Sequence, residues 1–128
     1  MSRRGVLTGA VALAGLTSLP GILNASAVGH LVVDDRLAHS AEFAAGFGGA
    51  RVHRVSAMDD LCNGWYTRIR KQVLADAKDI AGLTTWMDYV VMRSCAAEIG
   101  YRRIRHIEHL APSRHVRMVT WVFSPRSV

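Results

Sequence analysis

Residues 80–100 run Ile80-Ala81-Gly82-Leu83-Thr84-Thr85-Trp86-Met87-Asp88-Tyr89 and on through Glu98-Ile99-Gly100. The stretch holds one complete strand–helix unit. Ile80 to Leu83 is a short apolar run that reads as a buried strand. Thr85 with Asp88 three residues on is a capping-box pattern that opens a helix. The helix runs from Trp86 to Ile99, and Gly100 closes it.

Working outward, the same alternation repeats. Leu31-Val32-Val33 is a short strand ending at Asp34-Asp35. A helix is predicted from about Leu37 to Phe47, with Leu37, Ala41, Ala44 and Ala45 along one stripe and Phe43 and Phe47 four apart. Gly46, Gly48 and Gly49 stop it. Arg51 to Val55 reads as a second strand, with Val52 and Val55 as its apolar members. The longest helix starts at Met58 or Asp59 and reaches about Ala77. Its stripe is Leu61, Trp65, Ile69, Val73 and Ala77. Downstream, Tyr101 to Glu108 and Val116 to Phe123 form a hairpin across Ala111-Pro112-Ser113-Arg114.

The order β-α-β-α-β-α-β-β predicts an α/β fold. The expected architecture is three-layered, with a mostly parallel sheet of about five strands in a flavodoxin-like or Rossmann-like order. The order 2-1-3-4 is expected, and the hairpin then adds the last strand antiparallel at the edge.

The chain has 128 residues, one domain's worth, and a formal charge of +6. Half of it is hydrophobic and 20% is charged, a globular balance that argues against general disorder. Without Arg3 and Arg4 the count is 14 basic against 10 acidic residues. That surplus is ordinary for a soluble surface, and nucleic acid is not an expected partner.

Ser2-Arg3-Arg4-Gly5-Val6-Leu7 resembles the twin-arginine export motif, in which Ser or Thr precedes two arginines and two hydrophobic positions follow one residue later. Val6 to Leu23 is apolar but diluted by Gly9, Gly15, Thr17, Ser18, Pro20 and Gly21, and Pro20 breaks any helix there. Ala25-Ser26-Ala27 supplies small residues at a cleavage site. The reading is a signal over residues 1–27, cut after Ala27, and one α/β domain over residues 28–128. A retained membrane anchor fits less well, because the apolar run is interrupted short of a span. The resemblance implies transport of a folded protein by the twin-arginine translocase, with only transient membrane contact and a periplasmic destination. Cargo of this route often folds around a cofactor or rides with a partner, but the sequence names no cofactor.

Ligands of open α/β sheets bind beyond the carboxyl ends of the strands. The candidates there are Asp35, Arg36, Asp60, Thr84 and Thr85. Asp34-Asp35 with Asp59-Asp60 would make an acidic pocket able to hold a hard cation. Capping of helix starts by Asp35 and Asp59 is the weightier reading, and no metal site is assigned. Gly82-Leu83-Thr84-Thr85 can hold an anion through backbone N–H groups, and capping again competes. His106 and His109 face opposite sides of a strand, while His109 and His115 can approach across the hairpin. His39, Ser40 and Asp35 sketch a hydrolytic set without a nucleophile elbow. Arg102, Arg103, Arg105, Arg114 and Arg117 make the hairpin basic, suited to an acidic partner or to a charged edge. Cys62 and Cys95 lie on helices covering one face, at levels not expected to match for a disulfide.

Val33-Asp34-Asp35-Arg36 with Ser40, Trp65-Tyr66 and Gly82-Leu83-Thr84-Thr85 carry a resemblance to small bacterial proteins that bear a twin-arginine signal and have no assigned activity. It spans most of residues 31–123 and implies no catalytic residues. The expected function is therefore a non-catalytic accessory or interaction module for a periplasmic redox enzyme. The alternative is a small-molecule- or anion-binding protein or small enzyme, with its site at the strand ends. A cytoplasmic domain with an accidental Arg-Arg start is the third possibility.

Overall fold

A computed structural model describes residues 27–110 and 117–125. The export signal through Ser26, including Arg3, Arg4 and Ala25, lies outside the described residues, as do the hairpin tip with Arg114 and His115 and the side chain of His109.

The first strand, β1, spans Val28–Val33, and a short helix α1 spans Ser40–Ala45. Strand β2 is Arg51–Arg54, followed by a single 3-10 turn at Val55–Ala57. Helix α2 is built of three consecutive pieces: Leu61–Gly64, a π-helical turn Trp65–Ile69, and Arg70–Asp76. Then come β3 (Asp79–Thr85), α3 (Trp86–Glu98), β4 (Tyr101–Leu110) and β5 (Arg117–Pro125).

These strands form one mixed sheet in the order β2-β1-β3-β5-β4. β1 runs parallel to β2 and β3, whereas β5 is antiparallel to both β3 and β4. The expected 2-1-3 order holds. The expectation of a mostly parallel sheet does not, and the hairpin inserts the other way round. β5 takes the interior place beside β3, and β4 is the edge.

The reason is in the side chains. Met118 through Phe123 is apolar or small on both faces and all six residues are buried, which suits a strand with neighbours on each side. Arg102, Arg103 and Arg105 on β4 are exposed, which suits an edge. A bulge at Ile104 separates the pairs Arg103↔Phe123 and Arg105↔Val122. It changes the alternation, so that Ile104 and Ile107 pack with the same apolar cluster.

Alternate strand residues supply two apolar clusters. Val32, Ile80, Val119, Trp121 and Phe123 join Trp65, Ile69 and Val73 of α2 and Tyr89, Met92 and Cys95 of α3. Leu31, Val33, Leu83, Met118 and Val122 join Phe43 and Phe47. α1 is shorter than predicted, and of its expected stripe Ala41 and Ala45 are exposed. Its hold on the sheet comes from the two phenylalanines, whose rings sit 5.1 Å apart.

The predicted stripe of α2 is correct from Leu61 to Val73, every member being no more than 3% exposed. A strict four-residue spacing drifts off one face of a 3.6-residue helix. The π turn, closed by the Arg70 N–H on the Trp65 carbonyl, is wider and absorbs that drift. Ala77 ends the helix in the left-handed region at φ 54°, and Gly100 ends α3 at φ 81°, the latter as the sequence predicted.

Candidate functional site

The parallel strands β2, β1 and β3 end side by side. The chain leaves them through Val55-Ser56, Asp34-Asp35-Arg36 and the Thr85–Asp88 turn. A cavity of about 420 Å³ opens there, lined by Arg36, Ser56, Asp59, Asp60 and Asp88 among others.

Arg36 also forms an ion pair in which it is exposed and its partner Asp34 is buried. Asp34 is 1% exposed. Arg36 donates to it from Nε at 2.8 Å, from Nη2 at 3.0 Å and from its backbone N–H at 3.1 Å. The hydrogen bonds and charge of Asp34 raise the Arg36 pKa. Asp88 faces the same cavity, and burial followed by the charge of Asp34 pushes its carboxyl pKa up. Asp35 points elsewhere. Ser56 Oγ donates to it at 2.7 Å and Arg54 lies 3.9 Å away, so its pKa is lowered, chiefly by the serine.

The other sequence candidates have structural duties. Asp60, rather than Asp59, caps α2 by accepting the Asn63 N–H at 2.6 Å. Asp35 does not cap α1, whose N-cap is His39 with no side-chain cap bond. Thr85 caps α3, accepting from the Asp88 N–H at 3.2 Å. Thr84 is fully buried and accepts the Trp121 Nε1–H at 3.0 Å. The strand-end cavity therefore gathers Arg36 and Asp60 but not Asp35, Thr84 or Thr85.

The hydrolytic set does not assemble. His39 bonds Glu42, and Ser40 reaches only the Asp35 backbone carbonyl, at 3.5 Å. His106 stacks on Tyr89 with ring centroids 5.1 Å apart. Among the described residues no serine or cysteine side chain is hydrogen-bonded to a histidine, and no group of three or more His, Cys, Asp or Glu is placed to hold a metal ion. Cys62 is exposed and Cys95 buried, both as free thiols. Burial, then the neighbouring Cys62, raises the Cys95 pKa to about 11.

The basic hairpin is partly engaged. Arg103 donates to the Tyr89 hydroxyl at 3.1 Å. Arg117 pairs with Glu108 and lies 4.7 Å from the centroid of the Trp86 ring.

The sequence reading missed one cluster altogether. His30 on β1 and His53 on β2 are 2% and 5% exposed. His30 Nδ1 lies 3.3 Å from His53 Nε2, and His30 Nε2 lies 3.0 and 2.9 Å from the two carboxylate oxygens of Asp76. β2 was expected to bury Val52, yet Val52 is 38% exposed and the residue beside it goes inward. The available signal was the period of two: His30 shares a face with Val32, and His53 pairs with Val32 in register.

No protein-family model, no curated protein and no solved structure matches this chain. Among the described residues, no helix is long and apolar enough to cross a membrane.

Proposed function

We propose that this chain is an exported periplasmic protein, related to other small proteins with a twin-arginine signal. In this reading the translocase delivers it folded, and the mature domain from Val28 is a non-catalytic accessory module for a periplasmic redox enzyme. The sheet is taken as the middle of three layers, with α1 on one face and α2 and α3 on the other.

One observation supports the non-catalytic part above the rest. Most of the polar side chains that the sequence offered for chemistry are engaged in caps, with Trp121, with Ser56 or in the Arg36–Asp34 pair. β4 supplies the partner surface: an edge strand ten residues long with exposed arginines at 102, 103 and 105, open to an acidic surface that adds to the sheet. β1 opens at Val28, the residue after the expected cleavage, so cleavage there removes no strand residue.

Two measurements test the proposal. N-terminal sequencing of the protein from cells is expected to start at Val28, and an intact Met1 would sink the export claim. Native purification from periplasm is expected to recover it with a partner, in an association weakened by Arg102→Glu. Recovery only as a free monomer counts against the accessory role.

The strand-end cavity keeps the second reading in view. Asp88, with its raised carboxyl, beside Arg36 suits a small polar ligand there. Asp88→Asn would abolish such binding without unfolding the protein, and a ligand screen with no thermal response would reject it.

A further inference from the structure

A second cavity lies at the opposite face of β2, between that strand and α2. Arg51 and His53 are two apart on β2, so they share a face. Arg68, Gln72 and Asp76 follow at four-residue spacing along α2, beside the apolar stripe that enters the core. The two rows meet where Asp76 bonds His30 and His30 bonds His53. They enclose about 310 Å³, lined by Arg51, His53, Arg54, Arg68 and Gln72 together with Val52 and Ala57.

The charge in this cavity is one-sided. Arg54 has Asp35 at 3.9 Å, but Arg51 and Arg68 have no carboxylate partner among the described residues. Asp76, at the end of the α2 row, already takes the His30 ring and the Lys78 backbone N–H. Burial first, then the positive surroundings of His30, Arg68 and Arg51, depress the His53 pKa to about 4, so its ring is neutral near pH 7.

One acceptor in the lining lacks a donor. Gln72 Oε1 is buried with no hydrogen-bond partner. Guanidinium forks beside an orphan acceptor call for a ligand that is both anionic and an O–H donor.

We propose that the cavity between β2 and α2 binds a small oxyanion of the phosphate class, free hydrogen phosphate, which keeps an O–H at neutral pH. Arg51 and Arg68 hold its oxygens through charge-assisted hydrogen bonds. Its O–H satisfies Gln72 Oε1. This site is independent of the strand-end cavity and of the accessory role.

The test is calorimetric titration of the full chain with sodium phosphate, phenyl phosphate and sodium sulfate at constant ionic strength. Saturable binding of phosphate is expected. Sulfate and phenyl phosphate, the latter mainly a dianion without an O–H at neutral pH, are expected to bind more weakly. Arg51→Met and Arg68→Met each remove a charge-assisted contact and weaken phosphate by roughly 10- to 100-fold. Arg93→Met on α3, outside the cavity lining, leaves binding unchanged. Gln72→Leu removes a buried orphan acceptor without removing charge, so it weakens phosphate while keeping the protein folded. Absence of saturable binding, equal responses to phosphate and sulfate, or binding that survives Arg51→Met and Arg68→Met overturns the proposal.

Discussion

Asp76 at the end of α2 clasps His30 on β1, its Oδ2 lying 2.9 Å from His30 Nε2 across 46 residues of chain. His30 is 2% exposed while the Asp76 side chain is 39% exposed. The carboxylate can be hydrated without the histidine, but the histidine has no second partner for that nitrogen. Asp76→Ala is expected to destabilise the fold by about 1–3 kcal/mol, the cost of leaving a buried polar group unpaired. Asp76→Asn retains an acceptor and is expected to lose less. Urea titration of the two variants measures the difference, and equal stability of wild type and Asp76→Ala would show that water replaces the carboxylate.

Gly82 is the tightest point of the sheet. A Cβ added there would lie 2.0 Å from Trp121 Cζ2 and 2.3 Å from Cε2. The indole cannot swing aside freely, because Nε1 is held by the buried Thr84 hydroxyl at 3.0 Å. Gly82→Ala is therefore expected to cost about 3 kcal/mol or more, at the upper end of overpacking penalties. Thr84→Val, which removes the acceptor while keeping the shape, leaves a buried N–H unpaired and costs about 1–3 kcal/mol. Thermal unfolding of both variants checks the pair.

The strand–helix alternation was legible because each unit carries its own punctuation: Thr85 before α3, Gly100 after it, and the four-residue apolar stripe of α2. The order of β4 and β5 was not. Sequence adjacency favours placing β4 next to β3, and only the contrast between the arginines of β4 and the continuous apolar run of β5 argues otherwise. The histidine cluster was hidden for a different reason. His30 lies in an apolar run and His53 in a charged one, and burial of each depends on α2, which is distant in sequence. At the strand ends, residue type identified Asp60 and Thr85 as polar and well placed, and their bonds are those of helix caps.

The Thr85 cap makes its own prediction. Thr85→Ala removes the acceptor for the Asp88 N–H and is expected to lower stability by about 1 kcal/mol, whereas Thr85→Ser retains the oxygen and stays near wild type. The penalty would be the same with and without phosphate present, since the oxyanion cavity lies at β2 and does not include Thr85. Denaturant titration in the two buffers reads both points. A penalty that disappears on adding phosphate would place an anion at this helix start instead.

His53 gives the fold a pH dependence of known sign. Its folded pKa is depressed to about 4 by burial and by the charges of His30, Arg68 and Arg51, against 6.5 for the free side chain. Between these values the unfolded chain binds a proton that the folded chain refuses. The stabilisation is thus complete above pH 6.5 and is lost progressively as pH falls through this window towards 4. The slope is at most about 1.4 kcal/mol per pH unit, for a total of no more than about 3.5 kcal/mol. His53→Leu removes the titrating group and is expected to flatten this part of the curve relative to wild type. Carboxylates such as Asp35 act at still lower pH and are common to both proteins. Chemical denaturation at half-unit steps from pH 7.5 to 4 reads the difference directly. Parallel curves for the two proteins would show that His53 is already hydrated enough to protonate in the folded state.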